Sequence, residues 1–209
     1  MTEPELGFYH RLVPGEGADT LLLLHGTGGD ESDLLPLGRA LSPDATLLGV
    51  RGRVLEGGVP RFFRRLAPGV FDEEDIQART RELGQFVREA ASRYALDPGR
   101  IVALGYSNGA NIAAGLLLLE PGLVRRAALL RAMPPFAQPP AADLLGTRVL
   151  LSEGRHDPQV TVAQAQALEE TLRSAGADVR LQWADAAHQL SSAELPKVRD
   201  WLRGTQGVS

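Results

Sequence analysis

The chain has no cysteine among its 209 residues. That excludes disulfides, thiolate metal sites and a cysteine nucleophile, and it leaves the redox compartment open. Positive charge is not in excess either. The formal net charge is −4, whereas a surface built to neutralise phosphates needs the opposite sign, so nucleic acid is not an expected partner. The basic run "RFFRRL" is offset by "DEED" a few residues later. Long apolar stretches are also missing: "TLLLLH" and "GLLLLE" fall far short of the roughly 18 residues that would span a bilayer. The N-terminus, "MTEPELGFYHR", begins acidic and has no basic segment leading into an apolar one, so it does not read as a secretory signal. The expectation is a soluble, cytoplasmic protein without stable membrane insertion. A homodimer is compatible with it.

Apolar residues make up 44% of the chain and charged residues 23%, an ordinary balance for a globular protein. The length suits one domain spanning 1–209. Short β-like runs alternate with amphipathic helical patterns, which predicts an α/β architecture with a mostly parallel sheet. The expected strands are Phe8–Val13, Thr20–His25, Ala45–Val50, Ile101–Tyr106, Ala127–Leu130, Arg148–Ser152 and Val179–Trp183. Several are continuous apolar runs, as strands buried on both faces are. The turn-rich "PGEGAD" between the first two is too short for a helical crossover, so these two are expected to pair antiparallel at one end of the sheet. Ile76, Thr80, Leu83, Val87, Ala90 and Tyr94 recur at helical spacing after an N-cap at Asp72. Ala165, Leu168 and Leu172 mark another helix stopped near Gly176. Ser191 and Glu194 have capping-box spacing ahead of Val198, Trp201 and Leu202. The proline-rich "AMPPFAQPP" reads as an ordered loop.

One junction carries chemistry. In "VALGYSNGANIAAG" an apolar strand runs straight into a helix, and Ser107 stands between Gly105 and Gly109. A serine held on such a sharp turn needs small residues two positions to either side, because strand and returning helix approach closely there. A hydroxyl is a poor nucleophile unless a base takes its proton, an acid orients the base, and backbone amides face the oxyanion. Asn108, opening the helix, supplies one amide. "LLLLHGTGGDESDLLPL" offers the second at Thr27, in a glycine-rich turn after an earlier strand. That turn does not suit phosphate, lacking a G-K-[ST] ending or G-x-G-x-x-G spacing. "RVLLSEGRHDPQV" supplies Asp157 as the acid, with Asp185 and Glu153 as rivals and capping of the next helix as the structural alternative. Of four histidines, His188 follows the last strand and precedes the last helix, the position of a base in the order serine, acid, histidine. A metal reading of His156, Asp157 and His188 lacks a helical H-x-x-x-H pair or any thiolate, so no metal or cofactor is expected.

With these residues in place, the chain resembles the α/β-hydrolase fold and, within it, the compact phospholipase/carboxylesterase family. The resemblance covers almost the whole length through "LLLLHGTGGDESDLLPL", "RGRVLEGGVPRFFRRL", "GYSNGANIA", "GRHDP" and "AHQL", in that order. "GYSNGANIA" and "PRFFRRL" are similar to the bacterial branch of hydrolases associated with hydroquinone and quinone stress. The resemblance implies a three-layer sandwich with about seven mostly parallel strands and no lid domain. It implies a triad of Ser107, Asp157 and His188, with the amides of Thr27 and Asn108 as oxyanion hole. Acyl-protein thioesterase relatives usually have glutamine after the nucleophile, where Asn108 stands here. Only Gly52–Phe71 is long enough to overhang the site, and Arg61, Phe62 and Phe63 are candidates to line a substrate pocket, with Met133 and Phe136 as another wall; the structural alternative is that both phenylalanines pack in the core and the arginines face solvent. The implied function is hydrolysis of small carboxylic esters through an acyl-enzyme. Thioesters, lysophospholipids or an enol-lactone are alternative substrates, and a non-catalytic small-molecule-binding protein is the alternative of another class.

Overall fold

A computed structural model describes residues 5–67 and 69–204, so Pro68, within the segment expected to overhang the site, lies outside the described residues. In chain order the strands begin with β1 (His10–Val13), β2 (Thr20–Leu24) and β3 (Thr46–Val50). Two hairpins follow: β4 (Val54–Glu56) pairs with β5 (Val59–Arg61), and β6 (Arg65–Ala67) with β7 (Val70–Phe71). Then come β8 (Ile101–Tyr106), β9 (Arg126–Leu130), β10 (Arg148–Gly154) and β11 (Asp178–Ala184). The hairpins stand apart from a seven-stranded sheet of order β1-β3-β2-β8-β9-β10-β11, in which only β1 runs antiparallel to its neighbour.

The sheet has helices on both faces: α1 (Leu35–Leu41), α2 (Glu73–Arg93), α3 (Asn108–Leu119), α4 (Val162–Ser174) and α5 (Leu195–Leu202). Successive side chains of a strand point to opposite faces, and β2 shows why a run of leucines was needed. Leu22 and Leu24 join the core that includes Val87 of α2, Leu116 of α3 and Leu168 of α4. Leu21 and Leu23 join the core that includes Leu41 of α1 and Val198 and Trp201 of α5. A polar residue at any of these four positions would lose its water on whichever face it pointed to. Among the described residues no helix is long and apolar enough to cross a membrane.

One expected pairing is corrected. β1 does not pair with β2; it pairs antiparallel with β3, His10 opposite Val50, and β3 lies between them. The turn Pro14–Asp19 is indeed too short for a helix, yet it needs to cross only two strand spacings, about 10 Å, well within the reach of six extended residues. It passes over the start of β3, where the amide of Gly17 donates to the carbonyl of Asp44 at 2.6 Å and that of Gly15 to Thr46 Oγ1 at 3.1 Å.

Helix signals in the sequence hold with one refinement. Asp72 caps α2 by accepting from the Asp75 amide, and Ile76, Thr80, Leu83, Val87 and Ala90 are buried. Gly176, at φ +97°, follows the C-cap of α4. Near the C-terminus Glu194 does reach back to the Ser191 amide at 2.6 Å, but its own amide donates to the Ser191 carbonyl rather than the hydroxyl, and the helix starts at Leu195, three residues after the position the capping-box spacing predicts.

The strand order places the site. β3 lies on one side of β2 and β8 on the other, so the connections leave in opposite directions and a crevice opens beyond the carboxyl ends of β2 and β8. The loops after β2, β8, β9, β10 and β11 all gather there.

Candidate active site

Ser107 sits at the tip of β8 with φ 51° and ψ −114°, a conformation that ordinary side-chain-bearing residues avoid. The surrounding backbone leaves no other path. A Cβ on Gly105 would lie 2.6 Å from the Gly109 carbonyl, and one on Gly109 would lie 1.9 Å from the carbonyl of Leu24 in the neighbouring strand. The Ser107 amide donates to Leu130 of β9 at 2.8 Å, which ties the turn to the next strand.

The hydroxyl is not alone. Ser107 Oγ lies 2.9 Å from His188 Nε2, and His188 Nδ1 lies 2.8 Å from Asp157 Oδ2. A carboxylate only accepts, so Nδ1 carries the proton in the neutral ring and Nε2 is left to accept from the serine. The Asp157 side chain is fully buried and that of His188 is 16% exposed. Asp157 also satisfies its structural alternative in part: Oδ1 accepts from the amides of Gln159 and Val160 at 2.7 and 3.1 Å. It does not cap α4, because Thr161 and Gln164 form the capping box there. The rivals are elsewhere. Asp185 pairs with His156 at 2.9 Å on the open surface, and Glu153 is buried in β10, accepting from the Ala132 amide at 2.9 Å.

Thr27 and Asn108 border the same cavity, of about 390 Å³, as Ser107 and His188. Neither of their amides donates to another group among the described residues. The loop bearing Thr27 is shaped by His25. Burial holds that imidazole below its ordinary pKa and so neutral; Nδ1 donates to the Gly26 carbonyl at 2.5 Å, and Nε2 accepts from the Gly52 amide at 2.9 Å. On the facing side the Asn108 side chain accepts from the Phe62 amide at 2.8 Å.

The expected substrate wall divides. Arg61 and Met133 do border the cavity, together with Arg65 and Phe71 from the second hairpin and Val160. Phe62, Phe63 and Phe136 do not: all three are in the core, Phe62 against the His25 ring at 4.8 Å and Phe63 against Phe71 at 4.9 Å. Three large apolar rings gain more from leaving water completely than from a half-wet rim. Their backbone amide or ring contacts hold the loop, while the neighbouring arginines reach the cavity.

Two residues that sequence reasoning passed over hold the histidine loop. Arg131, which follows β9 at φ +59° and is entirely buried, donates through Nε to Ala187 and through Nη2 to Gln189, the carbonyls on either side of His188, at 3.1 and 2.9 Å. Its remaining N–H groups go to the Ser152 carbonyl and to both oxygens of buried Glu194, at 2.6 and 2.9 Å. All five donors of the guanidinium are thereby used. Burial works against both charges, yet the pairing holds Arg131 above and Glu194 below its ordinary pKa. Tyr106 donates its hydroxyl to the His188 carbonyl at 3.1 Å.

Glu153 is the uncompensated carboxyl of this cluster. Its Oε2 has no partner among the described residues, and burial pushes its pKa well above the usual 4.5. The folded state therefore retains a proton that the unfolded chain releases, so stability is full below about pH 4.5 and declines as pH rises toward the folded value. Glu153→Gln removes that dependence. The expected result is a variant that gains on the wild type by about 1.4 kcal/mol per pH unit above this point. Denaturant titrations at several pH values check it, and a constant difference would contradict the protonated state.

Comparison with known proteins gives this geometry its context. Residues 64–206 match the sequence model of the phospholipase/carboxylesterase family. The chain belongs to that family. It is 47% identical to MhqD of Bacillus subtilis (strain 168) over 93% of this chain and 97% of the relative. Among solved structures, the Bacillus cereus carboxylesterase superposes with a TM-score of 0.92 at 44% identity, covering 95% of each chain. A carboxylesterase from Mesorhizobium loti gives 0.90 at 40% identity, covering 94% of this chain and 95% of that one. The fold is thus the α/β-hydrolase sandwich, and the family is one of ester-hydrolysing enzymes.

Proposed function

We propose that the chain is a serine carboxylesterase acting on small carboxylic esters, with Ser107, His188 and Asp157 as its triad. The observation that carries this reading is the continuous hydrogen-bonded path from the buried Asp157 carboxylate through His188 to Ser107 Oγ, 2.8 and 2.9 Å per link, opening on a cavity. Ser107 Oγ attacks the ester carbonyl while His188 Nε2 takes its proton. The amides of Thr27 and Asn108, both without another acceptor among the described residues, stabilise the oxyanion at the mouth of α3. His188 then gives the proton to the departing alcohol. Water, deprotonated by the same imidazole, attacks the acyl-enzyme and releases the acid. Asp157 keeps the ring in the tautomer both steps require. No step calls on a cofactor. The cavity, of about 390 Å³, is of the size that small-molecule sites have.

The test is a panel of matched oxygen and sulfur esters of short acids, run with wild type and Ser107→Ala. Wild type is expected to turn over the oxygen esters, with the variant inactive on both. Exclusive use of the sulfur esters would make the chain a thioesterase instead. No turnover of either by wild type would overturn the reading.

A further inference from the structure

The cavity beside Ser107 has a cationic wall that the triad does not use. Arg61 and Arg65 both border it, and they share a single carboxylate: Arg61 Nε lies 3.2 Å from Glu56 Oε2 and Arg65 Nε 2.8 Å from Glu56 Oε1. Two guanidinium groups against one carboxylate leave a net positive charge. The Arg61 side chain is only 5% exposed, so that charge sits where water screens it poorly. Desolvation and the repulsion of Arg65 both hold Arg61 below its ordinary pKa, a sign that the folded protein has not fully compensated it. Arg61 spends Nε on the Phe63 carbonyl and Nη1 on Thr27 Oγ1, at 3.3 and 2.7 Å. No hydrogen bond within the described residues uses its Nη2.

The rest of the cavity does not cancel this field. Among the described residues no aspartate or glutamate borders it. Asp157 lies behind His188 with no exposed side-chain surface. Arg131 is also at the boundary, but Glu194 neutralises it and its donors are spent. Phe71, Met133 and Val160, which also border the cavity, pack together and add an apolar surface rather than a charge. Arg61 is bonded to the side chain of Thr27, whose amide faces the oxyanion in the proposed mechanism. A group held by Arg61 is therefore only a few bonds from the scissile carbonyl.

We infer that Arg61 and Arg65 form a carboxylate subsite, and that the chain acts on short esters bearing a free carboxylate close to the ester bond. This deepens the esterase reading and rests on it. The reaction is balanced without a co-reactant: the acyl C–O bond breaks, water supplies the new acid oxygen, and the alcohol leaves with a proton. The anion can sit on the acyl side, as in a monoester of a small dicarboxylic acid, or on the alcohol side, as in an acyl ester of a small hydroxy acid. Both present the same carboxylate to the arginines.

The experiment compares kcat/KM for monomethyl and dimethyl succinate, counted per ester bond, and for O-acetylglycolate and its methyl ester. In at least one pair the anionic ester is expected to be preferred by about tenfold or more at low salt, with the preference shrinking as salt is added. Arg65→Met, on an exposed hairpin, is expected to reduce that ratio about tenfold, mainly through KM. Arg61→Lys should also reduce it, because an ammonium cannot reproduce the planar fork. Wild type that hydrolyses the neutral esters with no anionic preference in either pair overturns the subsite and leaves the esterase reading intact. A preference that neither variant changes also overturns it. Wild type inactive on every ester overturns both.

Discussion

Ser107→Ala lowers kcat on a short ester by about 10⁴-fold or more, equivalent to about 5.5 kcal/mol of transition-state stabilisation, while thermal unfolding stays within about 0.5 kcal/mol of wild type. The two halves of this expectation have different causes. Among the described residues the Oγ atom makes one side-chain hydrogen bond, to His188, and its loss opens no core cavity. The turn itself is fixed by backbone: the amide bond to Leu130 and the close contacts of Gly105 and Gly109 persist in the variant. Chemistry is lost and architecture is kept. Steady-state kinetics beside a melting curve checks both, and a variant with a tenth or more of wild-type turnover would remove Ser107 from the reaction.

Arg131→Met has the largest expected effect outside the proposed triad. It leaves Glu194 buried without its partner, which costs about 3–5 kcal/mol of stability. It also frees the carbonyls of Ala187 and Gln189, so the loop that aims His188 relaxes. A displacement near 1 Å is enough to lower kcat about 10²-fold. The double variant Arg131→Met/Glu194→Met separates the two consequences. Replacing both charges by apolar groups is expected to return most of the stability, but kcat should stay low because nothing holds the two carbonyls. If the double variant recovers both, Arg131 serves only to balance Glu194 and does not position the histidine.

The contrast between these two sites shows what a single sequence reveals. Ser107 was legible because its constraint is local: glycines at 105 and 109 are required by contacts within one turn and with the adjacent strand. Loop order after β2, β8, β10 and β11 was likewise readable from alternating patterns, and it brought Thr27, Asn108, Asp157 and His188 to one end of the sheet. Arg131 was not legible, since its partner Glu194 is 63 positions away and an arginine after a strand carries no mark of burial. The place of β1 escaped for a related reason. "PGEGAD" states how far the chain can travel but not that β3, contributed later, will slip between. The hairpin segment was half readable. "RFFRR" has no period that says which side chain turns inward, and the structure sends the phenylalanines to the core and Arg61 and Arg65 to the cavity.

The most direct test of the central claim is the mass of the intact protein after exposure to a fluorophosphonate, followed by peptide mapping. One adduct per chain, located at Ser107 and absent from Ser107→Ala, is the expected result. An adduct on another residue, or none on a wild type that still hydrolyses esters, would contradict nucleophilic attack by that serine.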